Sequence, residues 1–135
     1  MSGTGSDLPD GYPFQPGLEI SPRETAELMR TRPDGLLVID CRERVEWETA
    51  RIEGTVLIPL GEIQDRIDEI EGQGKPTVAV VCHHGRRSMK AALLLRQLGI
   101  EGALSVAGGI DWWSRSVDGS IPRYTKDASG CRVVG

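Results

Sequence analysis

Apolar residues fall along this chain in short unbroken runs separated by amphipathic stretches. Leu36-Leu37-Val38-Ile39 lies between Gly35 and a charged segment that begins after Asp40, as expected of a strand covered on both faces. Val56-Leu57-Ile58 and Ala103 to Val106 are two further candidate strands. The strongest strand signal is Thr77-Val78-Ala79-Val80-Val81, β-branched and uninterrupted, and it runs directly into Cys82.

Helical patterns alternate with these runs. Ser21, Pro22 and Glu24 form a capping box with proline at the first helical position, which opens a helix to about Thr31. Ile63, Ile67 and Ile70 share one face of a helix over Glu62 to Glu71, which Gly72 and Gly74 stop. Ser88 to Leu98 reads as a helix that is apolar nearly all round and ends at Gly99, and Ile110 to Arg115 as a short last one. The charge run Arg42 to Arg51 reads mostly as a solvated helical face. Short apolar strands alternating with helices predict an α/β domain built on a parallel sheet. Ligands of such sheets bind beyond the C-terminal ends of the strands, where Cys82 falls.

Gly, Pro and Ser dominate residues 1–17, and Pro9, Pro13 and Pro16 break any periodicity, so this segment is expected to be a flexible N-terminal arm. The domain is expected over 18–124, with a C-terminal tail at 125–135. The 135 residues suit one domain with its own core. A net charge of −4 with scattered basic residues disfavours nucleic-acid binding. No stretch approaches the roughly 20 apolar residues of a membrane span, so no membrane partner and a soluble, cytoplasmic location are expected. Cys41, Cys82 and Cys131 have neither the spacing of a disulfide framework nor that of a metal site, which leaves reduced thiols available for chemistry.

Cys82-His83-His84-Gly85-Arg86-Arg87-Ser88 joins the strongest strand to a helix N-terminus. Unpaired N–H groups and the helix dipole favour a thiolate there. Arg86 and Arg87 add fixed positive charge, the two histidines add more when protonated, and Gly85 permits a turn that aims successive amides inward. A small anion would be drawn to the same place. The plainer alternative is a core cysteine at a strand end. His83 and His84 are alternatively zinc ligands or a general base, but adjacent histidines point apart and no second ligand cluster exists, so no metal is expected.

The segment Leu36 to Ile63 resembles the rhodanese family's strand followed by D-x-R-E-x-x-E-[aromatic], through Asp40, Arg42, Glu43, Glu46 and Trp47, with Ile58-Pro59-Leu60 after it. Val78 to Trp113 is similar to that family's active-site strand, C-x-x-G-x-R-S loop and G-G-I-D-x-W ending, through Gly108-Gly109-Ile110-Asp111 and Trp113. The resemblance implies a single rhodanese-like domain, with a central, mainly parallel five-stranded sheet and helices on both faces. It also implies a persulfide on Cys82, its outer sulfur cradled by the amides of His83 to Arg87. The chain departs from the family at Cys41, where a small apolar residue is usual, and at Arg51-Ile52-Glu53-Gly54-Thr55, where the family has a histidine followed by Ile-Pro-Gly-Ala.

The expected function is therefore sulfur transfer. Cys82 takes sulfur from an anionic donor such as thiosulfate and passes it to cyanide, a thiol or a protein, with no external cofactor. His83, His84, Gly85, Arg86, Arg87 and Arg42 are the candidate substrate-binding residues. Arg42 is alternatively half of a structural pair with Asp40. Cys41 is expected to pack as a small hydrophobe, with a second reactive thiol as the alternative, and Cys131 to be exposed. A sulfur relay from Cys82 to Cys131 is the other reading of that residue. Three rival functions remain: a carrier loaded by a partner protein, a non-catalytic module, and a cysteine phosphatase or arsenate reductase. The last needs C-x5-R, and the sixth residue after Cys82 is Ser88, with Arg87 one position early.

Overall fold

The computed structural model describes residues 7–134. Five strands, β1 (Glu19–Ile20), β2 (Leu36–Asp40), β3 (Val56–Leu57), β4 (Thr77–Val81) and β5 (Ala103–Val106), form one sheet in the order β1-β5-β4-β2-β3, with every pairing parallel. The longest apolar runs take the centre: β2 and β4 pair from Leu36 opposite Thr77 to Asp40 opposite Val81.

Side chains alternate across a strand, so each strand feeds two core layers. Leu37, Ile39, Val78 and Val80 meet Ile58, Ile63 and the helices α3 (Ile67–Gly72) and α4 (Arg86–Gln97) through Ile70, Ala91, Ala92 and Leu95. Leu36, Val38, Ala79 and Val81 meet Ile52, Ile110 and Trp113 on the other side, where α1 (Pro22–Thr31) and α5 (Gly109–Ser116) lie. Helices thus cover both faces of a five-stranded parallel sheet.

Ser21 caps α1 as its sequence predicts, its Oγ accepting from Glu24 N–H at 3.2 Å. Two helices differ from the pattern. Only Ile67–Gly72 of the 62–71 segment is regular helix, although Ile63 and Ile70 both enter the core. More consequentially, α4 begins at Arg86 instead of Ser88, because Gly85 at φ 104° turns the chain directly into the helix.

The charge run 42–51 is not a uniformly solvated face. It includes α2 (Arg44–Thr49), and along the run Glu43, Arg44 and Glu48 are exposed but Arg42 and Glu46 are completely buried. Each finds a partner of opposite charge, buried Asp40 for Arg42 and partly exposed Arg87 for Glu46, without which burial would be prohibitive.

Of the expected N-terminal arm, residues 1–6 lie outside the described residues. The remainder is tied down: Tyr12 Oη donates to Glu19 Oε2 at 2.8 Å, and Trp112 Nε1–H donates to the Asp7 carbonyl at 2.9 Å. At the C-terminal end, β6 (Arg123–Asp127) and β7 (Gly130–Val134) form an antiparallel hairpin where the sequence offers only a polar tail, and Gly135 is outside the described residues. Buried Tyr124 anchors that hairpin. Among the described residues no helix is long and apolar enough to cross a membrane.

Candidate active site

The β4 strand ends at Val81, and the next residue, Cys82, has its thiol only 1% exposed at the bottom of a cavity of about 540 Å³. His83, His84, Arg86, Arg87 and Lys90 line the rest of that cavity. Gly85 N–H donates to Cys82 Sγ at 3.0 Å, and Ser88 Oγ lies 3.3 Å from it, itself 2.7 Å from Ser105 Oγ. Cys41, which follows β2 on the neighbouring strand, shares a hydrogen bond with Cys82.

These contacts determine the charge state. The Cys41 hydrogen bond contributes most to lowering the Cys82 pKa, burial opposes it, and the Ser88 hydroxyl with the Ser88 and Gly85 amides adds to the lowering, which reaches about 5. The same hydrogen bond and burial push the Cys41 thiol far up. Cys82 is the anion of the pair because the loop amides point at it, while Asp40 sits beside Cys41.

The four cations expected at the loop divide into different roles. Arg87 is not a free charge: its Nη1 and Nη2 donate to Glu46 Oε1 and Oε2 at 2.6 and 2.8 Å. Glu46 also accepts from Tyr124 Oη at 2.7 Å and from Glu43 N–H at 3.1 Å. Burial by itself raises the Glu46 pKa; the bonds from Arg87, Tyr124 and Glu43 overcome it and lower it to about 2. Arg86 is exposed and carries no ion pair among the described residues.

His83 is not cationic near neutral pH. Burial, aided by the neighbouring His84, lowers its pKa to about 4. Its ring stacks on Tyr124 with centroids 4.0 Å apart, and its Nε2–H donates to the Tyr124 carbonyl at 3.1 Å. His84 is exposed on the cavity wall.

Arg42, expected at the mouth of the anion site, does not reach the cavity. It is 0% exposed, and every guanidinium hydrogen has a partner. Nε and Nη2 clamp Asp40 at 2.9 and 2.6 Å, Nη1 donates to Tyr124 Oη at 3.0 Å and to the Glu46 carbonyl at 3.3 Å, and Nη2 also reaches the Ala50 carbonyl at 2.6 Å. It holds α2 and the C-terminal hairpin against the strand end, which leaves it no donor for a substrate.

Three contributors escaped the sequence reading. Lys90 is exposed, unpaired among the described residues and on the cavity wall; its spacing of four from Arg86 was the available signal. Tyr124 carried none, since its partners lie 41 to 82 positions away. The role of Glu46 was hidden inside the acidic motif. Cys131 packs against the core layer on the far side of the sheet from Cys82, contrary to the exposed position expected of it, which disfavours a relay between them.

The start of α5 buttresses the loop from behind. Ile110 N–H donates to the Cys82 carbonyl at 2.8 Å and Asp111 N–H to the His83 carbonyl at 3.1 Å. Gly109, at φ 63°, permits this approach, because a Cβ there would overlap the His83 carbonyl.

Residues 21–116 match the family model described as "Rhodanese-like domain". YrkF of Bacillus subtilis, named for a role as a sulfur carrier, is 36% identical over 81 residues, which are 60% of this chain and 43% of that protein. The adenylyltransferase and sulfurtransferase MOCS3 of Arabidopsis thaliana is 27% identical over 119 residues, 78% of this chain and 25% of that protein. The chain thus spans less than half the length of these curated relatives. Among solved structures, a rhodanese-related protein of Thermoplasma volcanium superposes with a TM-score of 0.65 at 30% identity, over 74% of this chain and 93% of that one.

Proposed function

From the premise that this chain belongs to the rhodanese-like domain family, we propose that it is a sulfurtransferase carrying sulfur as a persulfide on Cys82. The observation that carries the reading is a buried sulfur that accepts the Gly85 amide at 3.0 Å and opens onto a cavity walled by Arg86 and Lys90, cations unpaired among the described residues. The amide, together with Cys41 and Ser88, keeps the nucleophile ionised, and the cations attract an anionic donor.

With thiosulfate, the Cys82 thiolate attacks the outer sulfur, the sulfur–sulfur bond of the donor breaks, and sulfite leaves with the bonding pair. The negative charge then rests on the new terminal sulfur, within reach of the loop amides and of Arg86. A nucleophilic acceptor attacks that terminal sulfur and returns Cys82 to the thiolate. Gly85, at the cap of α4, supplies the anion-binding amide; His84 shapes the acceptor's approach, and neutral His83 shapes the loop. Arg87 acts by holding the first turn of α4 to α2 through Glu46.

Two features support a protein acceptor beside small ones. A groove of about 600 Å³ adjoins the cavity, with Tyr12, Pro13, Met89 and Leu93 along it, and a relative is named as a sulfur carrier. Phosphatase chemistry is poorly supported, because Arg87, the one loop arginine near the position needed to clamp a phosphoryl group, is committed to Glu46.

The experiment is the intact mass of the reduced protein after thiosulfate, followed by peptide mapping and then by cyanide. A transient gain of one sulfur on Cys82 at short exposure, which cyanide removes, is expected, and Cys82→Ser should neither gain sulfur nor turn over. Thiosulfate turnover by that variant would refute the assignment.

A further inference from the structure

Sulfur transfer as described uses the buried thiol of Cys41 only as a hydrogen-bond partner of Cys82. Cys41 directly follows β2, and its N–H donates to the Val81 carbonyl at 3.0 Å. The β2–β4 register sets Ile39 opposite Val80 and Asp40 opposite Val81, and its continuation sets Cys41 opposite Cys82. Both side chains enter the same core layer, 2% and 1% exposed. Neighbouring strands lie about 4.8 Å apart, and disulfide-bonded Cα atoms are about 4.4–6.8 Å apart. The two cysteines can therefore bond without displacing the strands.

Their placement around the sulfur is also asymmetric. Cys82 lines the cavity and Cys41 does not. A transferred sulfur projects from Cys82 into the cavity, whereas Cys41 meets Cys82 Sγ from the core, the side from which that sulfur can be displaced.

We propose that Cys41 is a resolving thiol that attacks Sγ of the Cys82 persulfide, forms a Cys41–Cys82 disulfide and expels the outer sulfur as hydrosulfide. This rests on persulfide formation at Cys82 as proposed above. The step is Cys41–SH + Cys82–S–S⁻ → Cys41–S–S–Cys82 + HS⁻. The bond between Sγ and the outer sulfur breaks, a bond between the two cysteine sulfurs forms, and the Cys41 proton leaves on the hydrosulfide. The two cysteines supply the two electrons that reduce the outer sulfur, so a single event needs no external reductant.

Charge makes the order obligatory. While Cys82 is a thiolate it holds the Cys41 proton and keeps that thiol inert. Once Sγ carries a second sulfur, the negative charge moves to the outer atom and Cys41 is released to react. An external acceptor attacks the outer sulfur and Cys41 the inner one, so the two routes compete for one intermediate.

The test treats wild-type and Cys41→Ser protein, whose hydroxyl still donates to Cys82 but cannot form a disulfide, with thiosulfate in the absence of added thiol. Released hydrosulfide and non-reduced intact mass are then followed. Wild type should release one equivalent of hydrosulfide and lose two hydrogens, with the peptides containing Cys41 and Cys82 cross-linked; the variant should keep its added sulfur and release none. A stable persulfide in wild type would overturn the resolving role and leave sulfur transfer standing. Absence of sulfur uptake by both proteins would overturn both. The wild-type masses alone decide among these outcomes should the variant fail to fold.

Discussion

Replacing Glu46 with glutamine removes the charge that Arg87 grips while leaving an oxygen for Tyr124. The carboxylate is completely buried and held by the Arg87 fork at 2.6 and 2.8 Å. Folding lowers its pKa from 4.5 to about 2, and at about 1.4 kcal/mol per pH unit of difference this contributes about 3 kcal/mol at pH 7. The Arg87 left behind keeps 31% of its side chain exposed, so the loss falls at or below the lower end of the about 3–5 kcal/mol that breaking a fully buried pair costs. The sign follows from proton binding. As pH falls through about 4.5 the unfolded chain takes up the proton first, so the contribution is whole above about pH 5, erodes between about 4.5 and 2, and vanishes below. Glutamine has no such proton. Urea titrations should therefore show the variant less stable by about 3 kcal/mol at pH 7 and by only about 1 kcal/mol at pH 3, with a melting temperature lowered by roughly 10 °C at neutral pH. A difference under about 0.5 kcal/mol, or one as large at pH 3 as at pH 7, would refute the ion-pair account.

Three further outcomes test the site. Alkylation of Cys82 by iodoacetamide should be half-maximal near pH 5 in the folded protein, against a usual thiol value of 9.0; a profile rising only above about pH 8 would mean that Cys41, Ser88 and the loop amides do not hold a thiolate. Arg86→Ala should raise the KM for thiosulfate by about 3- to 10-fold with kcat and urea midpoint unchanged, on the estimate that one partly solvated charge contact is worth about 1 kcal/mol; an unchanged KM would remove Arg86 from donor binding. Gly109→Ala forces a Cβ against the His83 carbonyl at positive φ, so it should cost more than about 2 kcal/mol and slow Cys82 alkylation. Stability equal to that of Gly61→Ala, which meets nothing nearby, would contradict that packing.

The sequence by itself determined the α/β class, the central strands, the cap of α1 and the place of the candidate nucleophile Cys82 at the end of a central strand. Each depends on local features: an apolar run without alternation, Ser21 before Pro22, a cysteine directly after the strongest strand. Periodicity over a few residues reports which faces of an element are buried, so such features are legible before anything has folded. Only the tertiary structure decided which charges stay free. Arg87 is claimed by Glu46 from 41 positions away, and Arg42 is sealed beneath Tyr124 from 82 positions away. Those encounters leave Arg86 and Lys90 as the cations on the cavity wall that are unpaired among the described residues, keep His83 neutral under the Tyr124 ring, and bring Cys41 to Cys82 across two strands. The availability of a charge depends on its desolvation and on its nearest partner. Both are set by long-range contacts that no local pattern encodes.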